Sequence, residues 1–132
     1  MQIRVDVSVK PTENVAKVKA AVLNVFPDAT FVESEGSLVA EARSLENLRE
    51  MFRNQRIRDA ARKILQASRE ETAIRFSLNK QAAFVGKANF APPSPMGPID
   101  VTIADDNLDS VIGYLTGKSE IKDAAEQTRP RD

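Results

Sequence analysis

The sequence predicts an α+β domain, a largely antiparallel sheet covered by helices. Three observations carry this reading. Apolar residues alternate with polar ones in several short stretches, the period of two that marks a strand with one wet face. Between them lie stretches whose apolar residues recur every three to four positions, the stripe of a helix with one buried side. Consecutive strand stretches are joined by short turns, so hairpins outnumber the long crossovers that parallel strands require. The chain has 132 residues, 42% apolar and 29% charged, enough to bury a core without disulfides or metals. Residues 1–116 are expected to form a single domain, and the polar residues 117–132 a flexible tail with a last helical turn.

The elements follow in order. Ile3, Val5, Val7 and Val9 alternate with Arg4, Asp6, Ser8 and Lys10, a half-buried strand. Pro11 stops it, Thr12 reads as a helix N-cap, and Glu13 suits the positive first turn. Val15, Val18, Val22, Val25 and Phe26 form the helix stripe, which Pro27 ends. TFVESEGSLVAEAR reads as a hairpin turning near Glu35–Gly36, with Leu38, Ala40 and Ala42 on one face. Ser44 is expected to cap a short helix carrying Leu45, Leu48 and Phe52. After a bend near Asn54, a second helix places Ile57, Ala60, Ala61, Ile64 and Leu65 on one stripe.

Ile74, Phe76 and Leu78 then alternate with Arg75 and Ser77. Asn79–Lys80 reads as a two-residue turn, since Asn tolerates the left-handed conformation such turns need. A returning strand is expected from Ala82 to Phe90. Pro92, Pro93, Pro95 and Pro98 mark a stiff extended loop. Ile99, Val101 and Ile103 form a further strand, and Asp105 or Asp106 is expected to cap a helix carrying Leu108, Val111, Ile112 and Leu115.

The sequence holds no Cys and no His. Disulfides, thiolate metal sites, Ser-His-Asp hydrolysis and typical zinc hydrolysis are thereby excluded. No apolar run reaches the length of a membrane span, and the opening MQIRVDVSVK has a strand pattern rather than that of a signal peptide. A cytoplasmic protein without a membrane anchor is expected. Asp100, Asp105, Asp106 and Asp109 are the only acidic group suggesting a metal. One lies in a strand, another is accounted for as a cap, and no calcium-loop spacing appears. No metal, cofactor or catalytic set is expected, and the enzyme reading is the minor one.

The formal net charge is zero, but it is unevenly distributed. Residues 1–48 hold 5 Lys/Arg against 7 Asp/Glu, residues 49–87 hold 10 against 4, and residues 88–132 hold 4 against 8. The basic middle is concentrated in LREMFRNQRIRDAARK, with Arg49, Arg53, Arg56, Arg58, Arg62 and Lys63. Guanidinium groups one helical turn apart suit phosphate oxygens, which they grip in pairs of hydrogen bonds. The plainer alternative is a solvated helix face in which Asp59 pairs with Lys63 four residues on. The second candidate is Asn79, Lys80 and Gln81 at the expected turn, with Lys87 on the next strand, all donors to phosphates or base edges. Its alternative is a hairpin tip whose polar residues serve geometry and solubility. Phe84 and Phe90 either stack on exposed bases or pack beneath a helix.

Three segments together, LREMFRNQRIRDAARKIL, LNKQAAFVGKANF and SPMGPIDVTI, resemble the motifs of a small archaeal family of uncharacterised proteins. That family is described as RNA-binding by inference, and its fold is similar to that of ribosomal protein L-five. The resemblance spans most of residues 1–115. It implies an α+β fold with an antiparallel sheet in a homodimer. It also implies a signature region formed by Arg53, Gln55, Arg56, Asp59 and Arg62 with Asn79, Lys80, Gln81 and Gly86. Asp59 with Arg62 is equally read as a structural ion pair, and Gly86 as a point of close packing. The expected function is non-enzymatic binding of structured RNA in the translation apparatus, with Asn54, Asn79 and Gln81 making polar contacts. The rival is a dimeric scaffold in which the basic middle of one chain meets the acidic C-terminal third of another.

Overall fold

In a computed structural model of the chain, residues 1–91 and 97–117 are described. The order is β1 (Gln2–Ser8), α1 (Val15–Val25), β2 (Thr30–Ser34), β3 (Ser37–Ala42), α2 (Glu46–Asn54), α3 (Arg58–Ala67), β4 (Ala73–Leu78), α4 (Lys80–Phe84), β5 (Ile99–Ala104) and α5 (Leu108–Thr116). The five strands form one sheet in the order β2-β3-β1-β5-β4, and every neighbouring pair is antiparallel. The α+β architecture expected from the sequence is therefore present. The proline loop from Pro92 to Pro95 and nearly all of the polar tail lie outside the described residues.

Register aligns the apolar positions of the strands. Val5 faces Ala40 on one side and Val101 on the other, and Val101 in turn faces Phe76. Ile3, Val7, Leu38, Ile74, Leu78, Ile99 and Ile103 join them in the core. A slip of one residue would turn all of these to water, so the hydrophobic pattern itself fixes the register. The alternate positions, among them Arg4, Glu41 and Arg75, are exposed on the opposite face. The helices supply the second layer through Val18, Val22, Leu48, Phe52, Ala61, Leu65, Ile112 and Leu115, all fully or almost fully buried. Of the α3 stripe, Ile57 and Ile64 are half-buried and Ala60 is exposed.

Several local expectations are corrected. Residues after Leu78 do not return as a strand. Asn79 is extended (φ −70°, ψ 122°) and its side-chain oxygen accepts a hydrogen bond from Ala82 N at 2.8 Å, capping the short helix α4. A capping Asn followed by Lys-Gln-Ala-Ala favours a helical turn, and the sheet position beside β4 is taken by β5. The chain then turns at Gly86, whose φ of 78° only glycine adopts freely. It meets β4 again through a single bridge between Leu78 and Phe90.

Two helix caps are also displaced from the expected residues. Asn14, not Thr12, caps α1, accepting from Ala16 N and Lys17 N. Glu13 precedes the helix, and its carboxylate accepts instead from Lys10 N at 2.9 Å. Asn107, not Asp105 or Asp106, caps α5 by accepting from Ser110 N, while Asp105 accepts from Asn107 N one step earlier. Ser44 does act at the start of α2, its hydroxyl accepting from Glu46 N at 3.1 Å.

Candidate nucleic-acid interface

The basic middle of the sequence is organised by the junction of α2 and α3. Leu48, Met51 and Phe52 turn inward and set the face that α2 buries. At its end Arg56 N donates to Arg53 O at 3.1 Å and Ile57 N to Phe52 O at 3.1 Å. This pair of bonds is the Schellman closure of a helix, in which one residue takes the left-handed conformation. That residue is Arg56, with φ of 59°, and it is the only non-glycine with positive φ among the described residues. An L side chain there costs on the order of 1–2 kcal/mol.

Beside it, Gln55 reaches the turn that follows α4. Ala88 N donates to Gln55 Oε1 at 2.8 Å, and Gln55 Nε2 donates to Ala88 O at 3.2 Å. Ala88 is fully buried, so one amide side chain satisfies both of its backbone groups. Phe90, two residues on, stacks on Phe52 with ring centroids 5.5 Å apart and tilts against Phe76 at 5.7 Å. Phe90 thus belongs to the packing and is no base-stacking surface, whereas Phe84 is 39% and Val85 73% exposed. Two further amides extend the link across the helical layer. Asn47 donates to Asn24 O and Val25 O, and Asn24 donates to Ala83 O.

The expected binding residues divide into three groups. Arg53 on α2, Arg56 at the junction and Arg58 and Lys63 on α3 are exposed, as is Lys87 beside the clamped Ala88. Arg49 and Arg62 are half-buried and serve α5. Arg49 Nε donates to Tyr114 O at 3.0 Å, with its guanidinium 5.1 Å from the Tyr114 ring centre. Arg62 donates to Thr116 Oγ1 and Thr116 O, both at 3.3 Å, and pairs with Asp59 at 3.2 Å. Both arginines therefore satisfy carbonyls that the last turn of a helix leaves open. The Asp59 partner is Arg62 rather than Lys63.

The third group lies at the other end of α4. Asn79 and Gln81 are exposed there, though the Asn79 oxygen is committed to its cap. Lys80 does not reach solvent and is corrected as a surface contact. It is 7% exposed and donates to Ser8 O at 2.9 Å and to Glu13 at 3.1 and 3.2 Å. The Lys10 backbone N–H, then the Lys80 ammonium, hold the Glu13 carboxyl below its usual range against the opposing effect of burial. Lys80 builds the fold where β1 meets α1, whereas Asn79 N donates to Asn89 O at 2.8 Å and ties the start of α4 to the turn beside Gln55.

Arg49, Arg53 and Arg58, with Gly117 at the end of α5, line a cleft of about 530 Å³. Gly117, where the expected polar tail begins, closes α5 at φ 79°. A Cβ at Gly117 would lie 2.8 Å from Arg58 Nη1. No group of three or more Asp or Glu side chains suited to a metal ion occurs among the described residues. No helix among them is long and apolar enough to cross a membrane.

A family model described as RNA binding matches residues 2–104. The UPF0201 protein of Methanocaldococcus jannaschii is 43% identical over 114 residues, covering 83% of this chain and 67% of the relative. That of Pyrococcus horikoshii is 35% identical over 125 residues, covering 89% and 91%. A crystal structure of an uncharacterized UPF0201 protein matches with a TM-score of 0.85 and 35% identity, covering 88% of this chain and 93% of that one. The crystal structure of the UPF0201 protein from Methanococcus jannaschii matches at 0.80 and 40%, covering 88% and 92%. Protein AF2318 from Archaeoglobus fulgidus, at 21% identity and a TM-score of 0.69, shares the fold. With its strands, its clamped turn and its basic junction in place, the chain belongs to the archaeal UPF0201 family, and it also matches the family model described as RNA binding.

Proposed function

We propose that this chain binds RNA through a ridge at the α2–α3 junction and the adjoining turn, without catalysing a reaction on it. Arg53, Arg56, Arg58, Lys63 and Lys87 contact phosphates, and Asn54 and Asn89 supply polar contacts. The observation that carries the reading is the double hydrogen bond between Gln55 and Ala88. It fixes Asn54 and Arg56 on one chain segment beside Lys87 and Asn89 on another. Two basic segments far apart in sequence thereby share one water-facing border. The strained backbone at Arg56 adds support, because such conformations gather where function holds them.

The finer parts of the reading rest on the resemblance of the three sequence motifs. They are a homodimer and a fold like that of ribosomal protein L-five; a cytoplasmic setting and a place in translation are proposed alongside them. The scaffold alternative loses part of its motive. The charge complementarity it assigned to two copies is met within one chain, where Arg69 pairs with Asp109 at 2.6 Å and Arg49 and Arg62 engage α5.

Crosslinking in cells followed by sequencing of the bound RNA tests the proposal, with Arg53→Glu, Arg56→Glu and Lys87→Glu combined as the comparison. The native chain should recover a defined RNA population that the variant loses. Equal recovery from both would remove the ridge as the binding surface. Sedimentation of the same preparations reads the oligomeric state.

A further inference from the structure

Building on the RNA reading, we infer that the cleft between α2, α3 and the end of α5 is a recess for a phosphate monoester, supplied by an RNA end. Arg49 and Arg53 stand one turn apart on α2, Arg58 opens α3, and Gly117 forms the wall at α5. Three guanidinium groups from two helices thus line one small space. Among the described residues, Glu50 pairs with two of these guanidinium groups, 3.3 Å from Arg49 and 3.6 Å from Arg53. Arg58 makes no ion pair or hydrogen bond among the described residues. Its guanidinium lies where any Cβ at position 117 would press on it. The glycine therefore gives Arg58 room, besides supplying the left-handed cap.

The end of a helix repels anions, and this is the strongest physical objection. Here two carbonyls of the last turn of α5 already have arginine donors, Tyr114 O in Arg49 and Thr116 O in Arg62. The guanidinium groups that face the cleft are those of Arg49, Arg53 and Arg58. A phosphodiester within a chain carries one charge and continues in both directions, so it needs an open groove. A monoester has one substituent and up to two charges, and it enters a recess from a single side. The forked donors of arginine match its oxygens in pairs. The second charge is lost as pH falls through roughly 6, so the preference for a monoester should fall with it.

The test uses the full chain and three oligoribonucleotides of one sequence, with a 5′-phosphate, a 3′-phosphate or hydroxyls at both ends. Their affinities are read by fluorescence anisotropy at fixed ionic strength. At least one phosphorylated form should bind about tenfold tighter than the hydroxyl form, in line with a charge-assisted contact. That ratio should shrink below pH 6 and approach one in Arg58→Gln. Lys87→Gln should weaken all three forms alike and keep the ratio. Equal affinity of the three RNAs would overturn the recess while leaving the RNA reading intact. Inorganic phosphate, titrated while the NMR signals of the Arg53 and Arg58 side chains are followed, separates the sources. If those signals move but no RNA binds, the RNA end is overturned as the source and the RNA reading fails with it. If neither RNA end nor free phosphate moves them, the recess itself is overturned.

Discussion

Gln55 and Ala88 are joined by two hydrogen bonds of 2.8 and 3.2 Å, across 33 positions of sequence. The side chain of one supplies both backbone partners of the other. It makes the α2–α3 junction and the Gly86–Asn89 turn one structural unit. Removing it in Gln55→Ala leaves a buried N–H and a buried C=O unmatched, at a cost of about 1–3 kcal/mol. Gln55→Glu keeps the bond from Ala88 N but cannot donate to Ala88 O, so it should fall between the two. Urea midpoints of the three proteins check the order.

Arg56 occupies the left-handed position of a helix closure in which glycine is usual. Arg56→Gly should therefore hold or raise stability by up to about 1 kcal/mol, while weakening RNA binding. A variant that is more stable yet binds less well would separate the two roles of this position. Thermal melting and an RNA titration on the same sample read both.

The basic residues should sort by what they touch. Arg49→Ala and Arg62→Ala each strip a carbonyl of α5 of its side-chain donor, and should cost about 1–2 kcal/mol. Arg53→Ala and Lys63→Ala, both exposed, should change stability by less than about 0.5 kcal/mol. If all four variants melt alike, the division between helix-closing and solvent-facing arginines is wrong.

Lys80, buried, pairs with the partly exposed Glu13. Lys80→Ala leaves Glu13 and Ser8 O without their ammonium, and should destabilise by about 3 kcal/mol. The pH dependence follows from the lowered Glu13 pKa. Its contribution is present above the ordinary glutamate value of about 4.3 and is lost as pH falls through the lower value of the folded state. Glu13→Gln should accordingly flatten the fall in melting temperature in that acid range. A curve parallel to that of the native chain would show that the pair does not govern acid stability.

Most of the fold was legible because one sheet face is buried. The alternation at Ile3–Val7, Leu38–Ala42, Ile74–Leu78 and Ile99–Ile103 appears in the structure as strands. The segment Lys80–Phe84 misled because five residues are too few to display a helical stripe, and Phe84, Val85 and Phe90 imitate strand residues. Asn14 and Asn107 cap in place of Thr12 and of Asp105 or Asp106, while Glu13 and Asp105 accept one step earlier from Lys10 N and Asn107 N. The candidate site was legible in composition but not in geometry. Sequence gave the arginines, yet which of them close α5 depends on contacts 54 to 65 residues away. The burial of Lys80 depends likewise on a carboxylate 67 positions earlier.

The central claim is that the exposed cations around Gln55 grip RNA phosphates together. Its most direct test is the salt dependence of RNA affinity for the native chain and for Arg53→Glu/Arg56→Glu/Lys87→Glu. Each phosphate neutralised on a single strand releases counterions and contributes roughly −0.7 to the slope of log affinity against log salt. Five engaged cations give a slope near about −3.5, and the triple variant should show a much shallower one with far weaker binding. Affinity indifferent to salt, or identical in the two proteins, would contradict the account.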